Sequence, residues 1–396
     1  MKKKAPNRWW IPISCIILFL AYPLGCGKVS SHNETENSNL TQVQRISILE
    51  GLAHPWSMAF LSATDALVTE KDGGLKRVDL SAKTQHLIKG LPPDRVDDIR
   101  QTDRRDNAGL FEVLVDPNYE QEPWVYLSYA ARKEGGTTTK VVRGQLLGDS
   151  LINIQTLLVA EPYSQDRFHY GGGMVFGRDG KLYITIGERY YNEIDQPALP
   201  VAQDVTDQRG MIYRIHRDGS IPTDNPSMGD SAVAGAYAIG IRAAQGLTLH
   251  PQSGEIWFTE HGSQQGDEVN LLRAGANYGW PVITDGSYRN AEFVPPKLDR
   301  EYTAPAWSWK GTVAPTGLVF YTGDEFPAWK GSLFVAGLSS GSFWRLTVEG
   351  AEVLEAERLF EEDPVRLRKV TQGPDGKLYV LTDEPNGRIL QVISIL

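Results

Sequence analysis

From about residue 46 onward the chain is a succession of short apolar runs separated by Gly, Asp, Pro and Asn, a pattern that predicts β-strands joined by tight turns. No stretch keeps a 3.6-residue apolar period over three turns, so no substantial helix is expected. Six segments open similar units: Met58–Phe60, Phe111–Val113, Met174–Phe176, Leu247–Leu249, Leu318–Phe320 and Val370–Gln372. A second strand follows most of them after a turn, as in Ala66–Glu70, Trp124–Ser128, Glu255–Thr259, Ser332–Ala336 and Lys377–Leu381. A third closes some units, as in Leu75–Val78 and Phe343–Leu346. Unit starts lie roughly 50–75 residues apart, a period that points to stacked repeats. Strand repeats with little helix predict an all-β, six-bladed β-propeller, with a pair of packed sandwich sheets as the alternative. Ile46–Leu49 is expected to complete the last blade beside Ile389–Ile395 and close the ring.

The first residues break this pattern. Met1–Lys4 and Arg8 are followed by an apolar run from Trp9 to Tyr22, short and interrupted by Pro, which reads as an export signal rather than a spanning helix. Pro23-Leu24-Gly25-Cys26 resembles a bacterial lipobox in which Cys26 would carry the lipid, although Pro23 stands where Leu is usual. Plain cleavage and an uncleaved anchor are the alternatives. The organisation expected is a signal segment over 1–26, a polar flexible tether over 27–44 and one propeller over 45–396. The protein would be exported, periplasmic or held at the outer membrane only through a lipid on Cys26. Cys15 and Cys26 both precede the propeller, which must therefore hold by packing without disulfides. A net charge of -9 and the lack of basic clusters beyond the start argue against a nucleic-acid partner.

Several polar motifs fall between the expected strands. His169 opens the run His169-Tyr170-Gly171-Gly172-Gly173, whose glycines permit a close backbone approach, and an Asp179-Gly180 turn leads into the strand Leu182–Ile186. The imidazole thus sits on a loop of a rigid sheet, as a ligand-directed or an ordinary hydrogen-bonding residue. Arg105–Leu110 precedes the second unit, and Gly240-Ile241-Arg242-Ala243-Ala244-Gln245-Gly246 precedes the fourth. Glu260–Asn270 and Asn277–Pro281 follow, then Thr312–Gly317 and Arg366-Leu367-Arg368. Arg366 and Arg368, two apart on an extended segment, project to one side, whether toward a ligand or toward solvent. Asp267 and Glu268 read equally as metal ligands or as solvated acids, and no zinc spacing is present.

Together these motifs, with Gly51–Trp56 and Gly373–Tyr379, resemble the soluble pyrroloquinoline quinone (PQQ)-dependent glucose and aldose sugar dehydrogenases over about residues 46–394. The resemblance implies a six-bladed propeller that oxidises a sugar at C1 to the lactone, passes a hydride to PQQ and hands electrons to an external acceptor. It implies His169 as the base and Arg242 as the arginine on the quinone, where it stabilises developing charge. Arg366 and Arg368 would clamp cofactor carboxylates, and Asn107, Thr312 and Ser339 stand at further cofactor positions. The carbonyls of Gly262 and Ser263 would hold a Ca²⁺ beside the cofactor, Glu268 and the Tyr278 carbonyl would hold a second one, and His261 would be structural. A homodimer is compatible with the resemblance.

Four positions depart from the family pattern: Ala243 replaces Asn, Ser339 replaces Lys, Gly173 replaces Arg and Asn107 replaces Gln. Lys310 and Lys369 are candidates to compensate. The departures keep a second hypothesis open, a propeller of the same descent that binds a carbohydrate or protein partner without catalysis. A calcium-dependent lactonase-type propeller is a more distant third.

Overall fold

A computed structural model describes residues 43–98, 106–189, 199–339 and 341–395; residues 1–42, which hold the signal segment and nearly all of the tether, lie outside them, as does Arg105. The described residues form six four-stranded antiparallel sheets. Five are continuous in sequence: blade 1 (residues 55–87), blade 2 (110–159), blade 3 (171–239), blade 4 (244–309) and blade 5 (315–359). Blade 6 takes three strands from residues 367–394 and its fourth from Val43–Leu52, which pairs from Val43 with Ser394 to Leu52 with Gly387. The described strand therefore takes in two residues of the stretch read as tether, because the edge of Gly387–Ser394 offers those backbone groups a ladder. The first strand of each blade touches its counterparts in both neighbouring blades, so the six sheets close into a ring, a six-bladed β-propeller. The only helical segments described are two short 3₁₀ turns, Val201–Gln203 and Pro327–Trp329.

The core lies between blades. Leu67 of blade 1 packs with Leu127 of blade 2, Tyr126 of blade 2 with Met174 of blade 3, and Ile212 of blade 3 with Phe258 of blade 4. Trp257 of blade 4 packs with Val335 of blade 5, Phe334 of blade 5 with Val380 of blade 6, and Leu381 of blade 6 with Val68 of blade 1. Each sheet is thus covered on both faces. That is why the second strands Leu182–Ile186, Leu333–Gly337 and Leu378–Thr382 are buried at every position instead of alternating. The outermost strands, such as Glu352–Leu359, meet water and carry the charge.

The innermost strands share a second device. Each is bulged near its start, as at Gly171–Met174 and Ala244–Gly246, where the pairing register shifts. A bulge takes backbone groups out of the ladder, and here a buried hydroxyl on the second strand replaces the lost partner. Thr185 Oγ1 accepts from Gly173 N (2.9 Å) and donates to the Ala244 carbonyl of the next blade (2.8 Å). Ser128 likewise accepts from Glu112 N and donates to the Gly172 carbonyl, and Thr69 accepts from Ser57 N and donates to the Phe111 carbonyl. Thr259 Oγ1 donates to the Thr316 carbonyl at 2.6 Å. One hydroxyl therefore satisfies a bulge and fastens it to the next blade.

Thr185→Val, which keeps the shape and removes the hydroxyl, should destabilise the protein by about 1–3 kcal/mol by stranding two buried backbone groups. Leu354→Ala on the exposed outer strand should cost less than about 0.5 kcal/mol. Chemical denaturation of the two variants beside the parent checks both values.

Candidate active site

The bulged strand starts lie at one end of the ring, and the loops that enter them carry the polar motifs. His169 precedes the inner strand Gly171–Phe176 with φ of 52°, a left-handed conformation that its surroundings must impose. They do so through close packing: a Cβ on Gly187 would run into the His169 carbonyl, and one on Gly172 would run into the Phe111 ring. Held this way, His169 Nδ1 lies 2.6 Å from Glu188 Oε1, and the Glu188 side chain is 2% exposed. With its proton on Nδ1 facing the carboxylate, the neutral ring leaves Nε2 as its acceptor. Burial, with Arg242, His261, Arg289 and Arg189 nearby, holds the pKa of His169 well below that of an ordinary histidine.

His169 lines a cavity of about 360 Å³ together with Asn107, Arg242, Gly262, Ser263 and Thr312. Residues from four blades' loops therefore meet as the sequence motifs imply. Arg242 donates through its backbone N to Glu260 and through Nη1 to the His261 carbonyl (3.3 Å), and its guanidinium lies 5.0 Å from the centre of the Trp280 ring. Thr312 Oγ1 donates to the Gln264 carbonyl at 3.1 Å. Gln245, His261, Asp267 and Arg289 also line the cavity. His261, expected to be structural, is thus on the cavity wall, with its pKa pushed down to about 4 by burial.

Other expected site residues stand elsewhere. Arg366 and Arg368 do project to one side, but both reach Asp383 Oδ2, at 2.8 and 3.2 Å. Arg368 meets the cavity only through Gln245, whose Oε1 accepts from its Nη1 at 2.8 Å. Burial alone would raise the pKa of Asp383, yet Arg368, His54, Lys71 and Arg366 hold it well below the usual carboxylate range. Lys71 is buried beside Arg368, which with desolvation pushes its pKa down to about 8. Ser339 sits in a turn tied by its N to the Val313 carbonyl and is not part of the cavity wall. Neither suggested compensating lysine reaches the cavity. Lys310 is exposed, and Lys369 Nζ bonds both Glu112 oxygens at 2.8 Å across the ring axis. Gly173 has no room for a longer side chain, since a Cβ there would meet the Gln245 carbonyl at 2.7 Å.

Two cation sites were expected, and the residues fit them differently. Glu260 and Glu268 face each other across paired strands beside a small void that Tyr278 also lines. Burial raises both carboxyl pKa values, Glu260 well above the ordinary carboxylate range and Glu268 to about 7, and Glu260 Oε2 has no hydrogen-bond partner. Buried carboxylates so placed suit a hard cation with oxygen ligands. The Gly262–Ser263 carbonyls do not present such a setting. Ser263 O accepts from Arg289 Nε at 3.0 Å, and Asp267, the one carboxylate among the described wall residues, is engaged by the amides of Gly262, Val313 and Ala314.

The sequence reading assigned no role to Glu188, Glu260, Arg289 or Asp383. Glu188 carried a usable signal, an acid two residues past a buried strand in the same unit as His169. Arg289 carried none, because only the docking of its loop brings it to the cavity.

Comparison with known proteins bears on the family and the fold. The glucose/sorbosone dehydrogenase family model matches residues 52–391. The aldose sugar dehydrogenase YliI of Escherichia coli K12 is 33% identical over 350 residues, covering 86% of this chain and 90% of that protein. Quinoprotein glucose dehydrogenase B of Acinetobacter calcoaceticus is 27% identical over 353 residues, covering 69% and 73%. The crystal structure of the soluble aldose sugar dehydrogenase of E. coli in its apo form superposes with a TM-score of 0.81 at 31% identity, covering 89% of this chain and all of that one.

The depressed pKa of His169 sets a pH dependence. Its folded value lies below the unfolded value of about 6.5, so the stability that the neutral ring contributes is present above that pH and lost as pH falls below it. The His169 ring nitrogens should therefore show a neutral imidazole by NMR at pH 6. Denaturation between pH 7 and 5 should show a shallower acid loss in His169→Gln than in the parent.

Proposed function

This chain belongs to the glucose/sorbosone dehydrogenase family, and on that premise we propose that it oxidises the C1 hydroxyl of an aldose sugar to the lactone with PQQ as the hydride acceptor. The observation that carries the reading is a single cavity in which His169, backed by Glu188, faces the same space as Arg242. When bound, PQQ supplies a two-electron acceptor, which an external acceptor must then reoxidise. The cavity suits an anionic, planar group: Arg242 and Arg289 bring two positive charges, Asp267 is already engaged by backbone amides, and both histidines are held neutral. Arg368 adds a third charge one step behind Gln245.

Within that arrangement His169 Nε2 takes the proton of the C1 hydroxyl as the C1 hydride leaves. Glu188 stabilises the imidazolium that forms, so the ring can be neutral before the step and charged after it. Arg242, fixed by its own backbone bond to Glu260 and by the Trp280 ring, would hold the quinone and supply positive charge beside it. The loop walls exclude bulk water from His169, whose side chain is 12% exposed. A calcium ion at Glu260 and Glu268 would brace the segment that carries His261 to Gly266, a structural role outside the reaction. The export reading of residues 1–26 would place this chemistry in the periplasm.

Purified protein supplied with PQQ should reduce a dye acceptor with one or more aldoses. His169→Ala should lower kcat by about 10²–10⁴-fold while retaining cofactor binding, and Glu188→Gln should lower it by about tenfold or more. Failure to bind PQQ would remove this reading and favour a propeller that binds a carbohydrate or protein partner. Millimolar Ca²⁺ should raise the melting temperature of the parent but not of the Glu260→Gln/Glu268→Gln double variant. Equal shifts in both would remove calcium from that site.

A further inference from the structure

Gln245 lines the cavity from the bulge of the inner strand Ala244–Leu249 and is 8% exposed. Its backbone carbonyl packs against Gly173, which holds the strand in place. Its side-chain Oε1 accepts from Arg368 Nη1 at 2.8 Å. A guanidinium carries donors and no acceptor, so only the oxygen of the amide can face it. The NH₂ end is thereby turned away from Arg368. Its Nε2 makes no hydrogen bond with the described residues and is the polar end of a side chain on the cavity wall.

Arg368 is buried behind that amide. Its side chain is 1% exposed, and it is not among the wall residues of the cavity. Its Nη2 bonds Asp383 Oδ2 at 3.2 Å, and the guanidinium lies 4.2 Å from the centre of the Trp56 ring. Asp383 directly follows the strand Leu378–Thr382, and its amide donates to the Arg366 carbonyl at 2.8 Å. Blade 6 thus fixes the carboxylate, the carboxylate fixes the guanidinium, and the guanidinium fixes the amide of blade 4. An amide whose oxygen is already engaged offers only donors, which suit a carbonyl or carboxylate oxygen.

Resting on the quinone reading above, we propose that Arg368 serves the cofactor as a positioning residue and not as a carboxylate clamp. It orients Gln245 so that Nε2 donates to an oxygen of the bound quinone. Gln245 is then a cofactor-binding residue, and Asp383 holds the group that aims it.

The test is equilibrium binding of PQQ in millimolar calcium, followed by tryptophan fluorescence or calorimetry, for the parent, Gln245→Met, Arg368→Met and the double variant. Gln245→Met keeps the length of the side chain and removes the donor, so it should bind about 10–100-fold more weakly than the parent. Arg368→Met should lose a similar factor. The double variant should bind within about threefold of Gln245→Met, because an orienting group then has nothing to orient. A cation that touches the cofactor itself predicts a further loss of about tenfold or more in the double variant, and that result overturns the inference. Gln245→Met binding as tightly as the parent also overturns it and leaves the quinone reading in place. Absence of binding by the parent overturns the quinone reading and this inference with it. Should Arg368→Met fail to fold, the side-chain amide signals of Gln245, assigned by their loss in Gln245→Met, decide by NMR. They should shift when PQQ is added to the parent, and unmoved signals overturn the inference.

Discussion

The constraint on which this structure depends is that every inner strand must be bulged and still leave no buried backbone group unpaired. The bulge turns the chain toward the ring axis, and a hydroxyl on the adjoining strand takes up the displaced amide while bonding a carbonyl of the next blade. An unsatisfied buried amide or carbonyl costs about 1–3 kcal/mol, so each such hydroxyl decides whether the bend is tolerable. Apolar burial between blades supplies most of the stabilisation but does not say how the inner strands should bend. The small polar contacts do, and they repeat at four of the blade junctions.

The candidate site grows from the same feature. His169 leads into one bulge, which contains Gly173, and Arg242 into another, which contains Gln245, so the bends that close the ring also aim the loops. The resulting cavity concentrates arginines among buried groups, and that changes the chemistry of its neighbours. His169 is kept neutral, with its Nδ1 against the buried Glu188 carboxylate. The acids nearby are either engaged by backbone amides, as Asp267 is, or buried facing each other with raised pKa values, as Glu260 and Glu268 are.

Much of the fold was legible along the chain for a physical reason. Because every sheet is covered on both faces, its second strand is a continuous apolar run bounded by turns, and Leu182–Ile186 or Leu378–Thr382 can be read directly. The closing pair of Val43–Leu52 with Gly387–Ser394 was legible as two strands lacking a unit of their own. In the site, His169, Asn107, Arg242 and Thr312 were legible through short motifs at the strand starts. Arg366 and Arg368 were legible as a same-side pair, but not as partners of Asp383, which lies 17 and 15 residues further along the chain. Lys369 was suggested for the cavity and instead meets Glu112, 257 residues away in sequence, because alternation on the strand turns it to the axis.

The sequence by itself determined the strand units, the number of blades and the loops that would carry polar groups, since these follow from local periodicity and turn chemistry. Only the tertiary structure decided which charges share a space. Whether Ser263 offers its carbonyl to a metal or to Arg289, and whether a lysine faces the cavity or the axis, depends on contacts between loops far apart in the chain. No local pattern encodes those contacts. They are set by how six sheets twist and pack in a closed ring, where a shift of a few ångströms exchanges one ion's partner for another's.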